Sequence, residues 1–156
     1  MQRKYILYNF EKIIEEMEEN QNIEFKESWR DEYLKWICGF ANAQGGKMYI
    51  GVRDNGEVCG VTDVKRLMED IPNKVKDVLG IIVDVNQLKE GELDYIEIVV
   101  ASYPYPISYK GHYYSRSWAT NQELKGAALD RYMMRTLDGL KAVLKSPFYL
   151  LRQSRS

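Results

Sequence analysis

The chain has 156 residues, 45% of them hydrophobic, and carries 22 Lys/Arg against 23 Asp/Glu for a net charge of −1. That length supports one sizeable core and argues for a single domain. No run of eighteen apolar residues occurs, and the polar breaks in the opening MQRKYILYNF exclude a signal-peptide core, so the expected location is the cytosol, with no membrane partner.

A near-neutral total excludes attraction to phosphate through overall charge. The charge is nevertheless polarised: residues 1–100 hold 13 basic and 20 acidic side chains, and residues 101–156 hold 9 and 3. Cys38 and Cys59 have neither CxxC spacing nor a neighbouring histidine, which fits two reduced thiols better than a disulfide framework or a zinc site.

In chain order, Glu11 to Glu18 has the pattern of a first helix, with Ile13, Ile14 and Met17 on one face. Ile23 to Lys26 is a short extended segment. A helix from about Asp31 follows, its Leu34, Ile37, Cys38 and Ala41 spaced i, i+3, i+4, i+7, and Gly45-Gly46 ends it. Met48 to Val52 and Val58 to Val61 are expected to form a hairpin about Asp54-Asn55-Gly56. Asp63 then caps a helix through Leu67, Met68, Ile71, Val75 and Val78, with Pro72 expected to kink or split it and Gly80 to end it.

Ile81 to Val85 and Tyr95 to Val100 are expected strands flanking a turn at Lys89-Glu90-Gly91-Glu92, and Tyr113 to Ser117 is another. Thr120-Asn121-Gln122-Glu123 has the spacing of a capping box that opens a last helix through Leu124, Ala128 and Tyr132. Strands and helices mix without a βαβ period. The expected class is α+β, a mixed or antiparallel sheet covered by helices, with residues 1–137 as one domain and 138–156 as a tail or the start of a further segment.

Four blocks stand in fixed order: Ile23-Glu24-Phe25-Lys26-Glu27-Ser28, Phe40-Ala41-Asn42-Ala43-Gln44-Gly45-Gly46, Met48 through Gly56, and Val58-Cys59-Gly60-Val61. Together with Tyr105-Pro106 and the later Tyr113-Tyr114-Ser115-Arg116, they resemble the Schlafen AlbA-like domain over about residues 19 to 130. The resemblance implies a Schlafen/AlbA-like fold and a module that binds DNA or RNA, as in bacterial transcriptional regulators, mainly through the phosphate backbone and without a cofactor. Some similar Schlafen proteins are metal-dependent RNA endonucleases; Glu19, Glu24 and Asp54 match their carboxylates and would hold Mg²⁺ or Mn²⁺ to activate water on a phosphodiester, tRNA included. Many bacterial relatives continue into an ATPase-like domain, and ATP binding is not carried over to this chain. Schlafen cores also resemble two such lobes joined, so a homodimer is an expectation by analogy. Where the family has a small Ser/Gly stretch after the arginine, this chain has Ser117-Trp118-Ala119-Thr120.

Side-chain chemistry refines these expectations. Gly45-Gly46 admits two readings, a loop letting phosphate reach backbone N–H groups and a helix C-cap; the missing Lys-Ser/Thr favours the cap. Basic and aromatic residues interleave from Tyr103 to Trp118, a composition suited to phosphate contact and base stacking. The expected binding residues are Lys26, Arg53, Lys110, Tyr114, Arg116 and Trp118. Asp54 equally fits turn chemistry beside Asn55-Gly56, and His112, the sole histidine, fits a surface hydrogen bond better than a metal. A protein-interaction or dimerisation domain that touches no nucleic acid is the remaining alternative.

Overall fold

The computed structural model describes Lys4, Asn9 and residues 22–145; the helix expected over residues 11–18 lies outside the described residues. The chain is α+β, as expected. Strands β1 (Ile23–Lys26), β2 (Gly46–Ile50), β3 (Asp84–Glu90) and β4 (Leu93–Val100) form one sheet in the order β1-β2-β4-β3, mixed because β1 runs parallel to β2. Strands β5 (Ser108–Tyr109), β6 (His112–Ser117) and β7 (Thr120–Leu124) form a second, antiparallel sheet. The helices are α1 (Leu34–Ala41, entered through a 3₁₀ turn at Asp31–Tyr33), α2 (Val64–Leu79) and α3 (Gly126–Leu144).

Helix α1 is the centre of the molecule. Its Leu34, Ile37, Cys38, Phe40 and Ala41 are all buried, because the helix packs against both sheets and leaves only Lys35 and Trp36 partly open to solvent. Strand alternation supplies the opposite wall: Met48 pairs with Ile98, Ile50 with Ile96, and all four are fully buried, whereas Lys47, Tyr49 and Glu97 point to the other face. Leu67, Ile71, Val75 and Leu79 of α2 complete this core at i, i+4, i+8, i+12. Each such side chain contributes on the order of 1.5–3 kcal/mol by leaving water.

Four expectations are corrected. Val58–Val61 is not a strand: only Val52 and Val58 bridge, and the segment instead crosses over Gly51, whose carbonyl accepts from the N–H groups of Cys59 (2.8 Å) and Gly60 (2.9 Å). Pro72 does not split α2, which runs unbroken from Val64 to Leu79. Its missing N–H costs the helix one bond, while buried Ile71 and Val75 pin both sides of it to the sheet. The strand expected at Ile81–Val85 begins at Asp84 and runs through Glu90, so the turn shrinks to Gly91-Glu92. Finally, Thr120–Leu124 is β7 rather than the opening of a helix; Thr120 Oγ1 donates to the Ser117 carbonyl at 2.7 Å, closing a hairpin instead of capping α3.

Burial also separates the two thiols. Desolvation pushes Cys38 up to about 11, while Cys59 lies in a partly open loop. At pH 8 roughly one Cys38 in a thousand is then thiolate, the reactive form. A chromogenic thiol reagent is expected to titrate one thiol per native chain and two after denaturation, with Cys59→Ser removing the native signal.

Candidate functional site

The edge strand β1 turns two charges inward. Glu24 pairs in register with Met48 and Lys26 with Ile50, so both side chains project to the helix-covered side. Lys26 Nζ lies 3.1 Å from Glu24 Oε1 and sits over the rings of Trp36 (4.6 Å to the centroid) and Tyr33 (4.9 Å). Arg116 reaches in from β6: Nη1 donates to Glu24 Oε2 and Nη2 to the Ile23 carbonyl, each at 2.9 Å, and its guanidinium stacks 4.6 Å from the centre of Phe40. Arg116 is only 8% exposed. Both oxygens of Glu24 are therefore engaged by cations, and a metal ion there would have to share the carboxylate with Lys26 and Arg116. Asp54 and Arg53 stand in the exposed turn beyond the end of β2, where Arg53 pairs with Glu57 at 3.6 Å. Glu19 lies outside the described residues, and among the described residues no three His, Cys, Asp or Glu side chains converge as a metal site.

Asn42, the asparagine of the Phe40-Ala41-Asn42 block, organises the neighbouring sheet. Its Nδ2 donates to the carbonyls of Ile107 (2.7 Å) and Tyr114 (2.8 Å), and its Oδ1 accepts from the Ile107 N–H (2.8 Å) and the Tyr132 hydroxyl (3.0 Å). One buried amide thus joins the end of α1 to the residue that leads into β5, to β6 and to α3. The glycines that follow serve the same junction. The Gly45 N–H donates to the Phe40 carbonyl at 2.9 Å with φ 78°, ending α1, and a Cβ on Gly46 would fall 2.4 Å from the Phe40 ring. The helix-cap reading of Gly45-Gly46 holds, with close packing as its second reason.

Strand β6 has a tight turn at each end, and a six-residue strand separates them by roughly 17–20 Å. At one end Lys110 (φ 50°) and Gly111 (φ 80°) reverse the chain. There His112 Nδ1 lies 2.6 Å from Glu123, whose carboxyl is held below the usual range by that hydrogen bond and by Lys125. At the other end Trp118 (φ 56°) and Ala119 link the paired Ser117 and Thr120. Lys110 and Trp118 therefore belong to different surfaces. Tyr114 is half-buried, edge-on to Tyr109 at 6.4 Å, and faces the core.

Beside Trp118 opens a cleft of about 680 Å³. One wall is the end of α1, with Gln44 and Gly45; another is α3, with Tyr132, Arg135, Thr136 and Gly139; Trp118 and Tyr103 stand at its sides. Arg131, one turn before Arg135, lines an adjoining recess with Tyr132 and Ser115. Neither arginine makes an ion pair among the described residues. Of the residues expected from sequence, the structure brings Arg116 and Trp118 to this cleft, leaves Arg53 and Asp54 beyond β2, and puts Lys110 at the far turn. Arg131, Tyr132 and Arg135 were not among the expected residues. The signal was an Arg-x-x-x-Arg pair astride a tyrosine within the basic third of the chain, obscured because the helix carrying it was expected to start too early.

No curated protein matches the sequence. Among solved structures, the chain is similar to the DIP2311 protein from Corynebacterium diphtheriae, at 18% identity and a TM-score of 0.57 over 66% of this chain, which spans 22% of that protein. It is also similar to the N-terminal domain of a RecG-related protein from Nitrosomonas europaea, at 17% identity and a TM-score of 0.45, covering 58% of this chain and 69% of that domain. The first likeness supports the fold alone. No described helix is long and apolar enough to cross a membrane. The family described as Schlafen, AlbA_2 matches residues 19–125, from just before β1 through the end of β7, and the chain belongs to that family.

Proposed function

We propose that the chain is a nucleic-acid-binding module that grips the phosphate backbone of DNA or RNA along the α3 wall of the cleft, in the manner of a regulator rather than a metabolic enzyme. The observation that carries the reading is the pair Arg131 and Arg135, two cations without ion pairs among the described residues, one turn apart on α3, with Arg135 lining the open cleft and both lining the recess that adjoins it. The whole chain has no cationic field, so a local one has to supply the attraction, and phosphate contact is the role a pair of guanidinium groups fills best. In this reading Arg116 lines the cleft and braces β6 against Glu24, while Lys26, Arg53, Lys110 and Tyr114 lie outside the contact.

The test is fluorescence anisotropy with labelled single-stranded RNA, single-stranded DNA and duplex DNA at 50 and 200 mM salt. Binding is expected to weaken with salt, and Arg131→Ala with Arg135→Ala to flatten the log–log slope by about two contacts' worth. Salt-independent binding, or a slope the double variant leaves unchanged, overturns the proposal. A Mn²⁺ arm resolved on a denaturing gel tests the nuclease alternative with Glu19, Glu24 and Asp54: cleavage lost in Glu24→Gln would establish it. Absence of binding to every probe would favour the protein-interaction alternative, including self-association.

A further inference from the structure

Trp118 is a side chain for which neither the turn nor the core gives a reason. It occupies the first position of a two-residue hairpin loop at φ 56°, a region that glycine, asparagine and aspartate enter readily and large side chains avoid. It gives nothing to the core in return, being 68% exposed. The locally strained loop places an indole in the lining of the cleft that Arg135, Thr136 and Gly139 also line. Tyr103 lines the same space, its hydroxyl accepting from the Ile82 N–H at 3.1 Å and its ring set edge-on against Tyr105 at 5.7 Å. The cleft's volume falls within the range of sites that enclose a small organic ligand.

From this geometry we infer that the cleft takes an unpaired nucleotide: the base stacks on Trp118 and its phosphate faces Arg135, with Arg131 in the adjoining recess placed for the next phosphate along the strand. This rests on the nucleic-acid reading above and narrows it to single strands or extruded bases. A duplex offers an aromatic side chain no free base face, since each base is already stacked between neighbours, whereas a single strand offers one at every nucleotide. An indole beside guanidinium groups is matched to a flat π-surface carrying an anion. Sequence selectivity is expected to be slight, because every base has such a face.

Three probes of equal length test this: a single strand, the same sequence as a duplex, and the single strand with abasic sites. The wild-type chain is expected to bind the single strand about tenfold or more tighter than the other two at equal salt. Trp118→Gly is expected to bring the single strand down to the duplex level while leaving duplex affinity unchanged. The same variant should melt no lower than wild type, because glycine relieves the positive φ. That last readout separates a binding role from a structural one, which would lower the melting temperature. Equal affinity for all three probes, or a Trp118→Gly chain that binds them as wild type does, overturns the stacking inference while the arginine reading stands. Loss of salt-dependent binding to every probe overturns both.

Discussion

Replacing Arg116 by methionine is expected to lower the unfolding free energy by about 3 kcal/mol, the low end of what breaking a buried ion pair costs. Methionine keeps the apolar contact with Phe40 but removes both donors, leaving Glu24 Oε2 and the Ile23 carbonyl without them on the inner side of an edge strand. The loss stays at the low end because Glu24 and Lys26 are still about one-fifth exposed and the Lys26 contact at 3.1 Å survives. Lysine at 116 should recover about half, since an ammonium offers one direction of charge where the guanidinium spans two acceptors. Adding Glu24→Gln to Arg116→Met should cost less than the sum of the single changes, with a coupling of about 1–3 kcal/mol. Urea unfolding of the four chains measures this. A change below about 1 kcal/mol in Arg116→Met, joined to a fall in nucleic-acid affinity, would make Arg116 a ligand contact instead of a brace.

How much of this was legible beforehand depends on the range of the interaction that decides it. Helix α1 was readable because Leu34, Ile37, Cys38 and Ala41 repeat at the helical period and every one of them is buried. The strand β6 was readable from residue type, its Tyr113-Tyr114 pair favouring extended chain. Thr120 to Glu123 was not, because a capping box and a strand use the same residues; the choice turns on whether Trp118-Ala119 closes a two-residue loop, and that requires tryptophan at a backbone angle local propensity argues against. The brace between Glu24 and Arg116 spans 92 positions, and Asn42 reaches partners 65 and 72 positions away. Such pairings leave no periodicity in a single sequence. What the sequence does show there is residue type: the asparagine between α1 and its glycines, and the arginine after the tyrosine pair, both stand in the blocks that carried the family resemblance.

The largest loss of stability is expected from Asn42→Asp, although it changes one atom. Asn42 is 7% exposed and its amide is fully used: it donates to the Ile107 and Tyr114 carbonyls, with a longer contact to Cys38 Sγ at 3.6 Å, and accepts from the Ile107 N–H and Tyr132 hydroxyl. Aspartate keeps the accepting oxygen but turns the donor into a second anionic oxygen aimed at two carbonyls at 2.7–2.8 Å. The charge must then either stay buried against like dipoles or take up a proton, and each route costs about 3 kcal/mol or more. With total stability of about 5–15 kcal/mol, a chain of this size should melt about 10 °C lower. The pH dependence distinguishes this cause from a simple packing defect. The introduced carboxyl has a folded-state pKa raised by desolvation and by the facing carbonyls, so its penalty is full above that raised value and shrinks as pH falls through it toward the unfolded value. Asn42→Ala lacks a titrating group, and its deficit relative to wild type should stay constant over the same range. Thermal melts of the two variants and wild type from pH 7.5 to 5 therefore give converging curves for Asn42→Asp and parallel ones for Asn42→Ala. Parallel curves for both would mean that the aspartate escapes to solvent and that the junction of α1, β5, β6 and α3 is held by packing instead of by the amide.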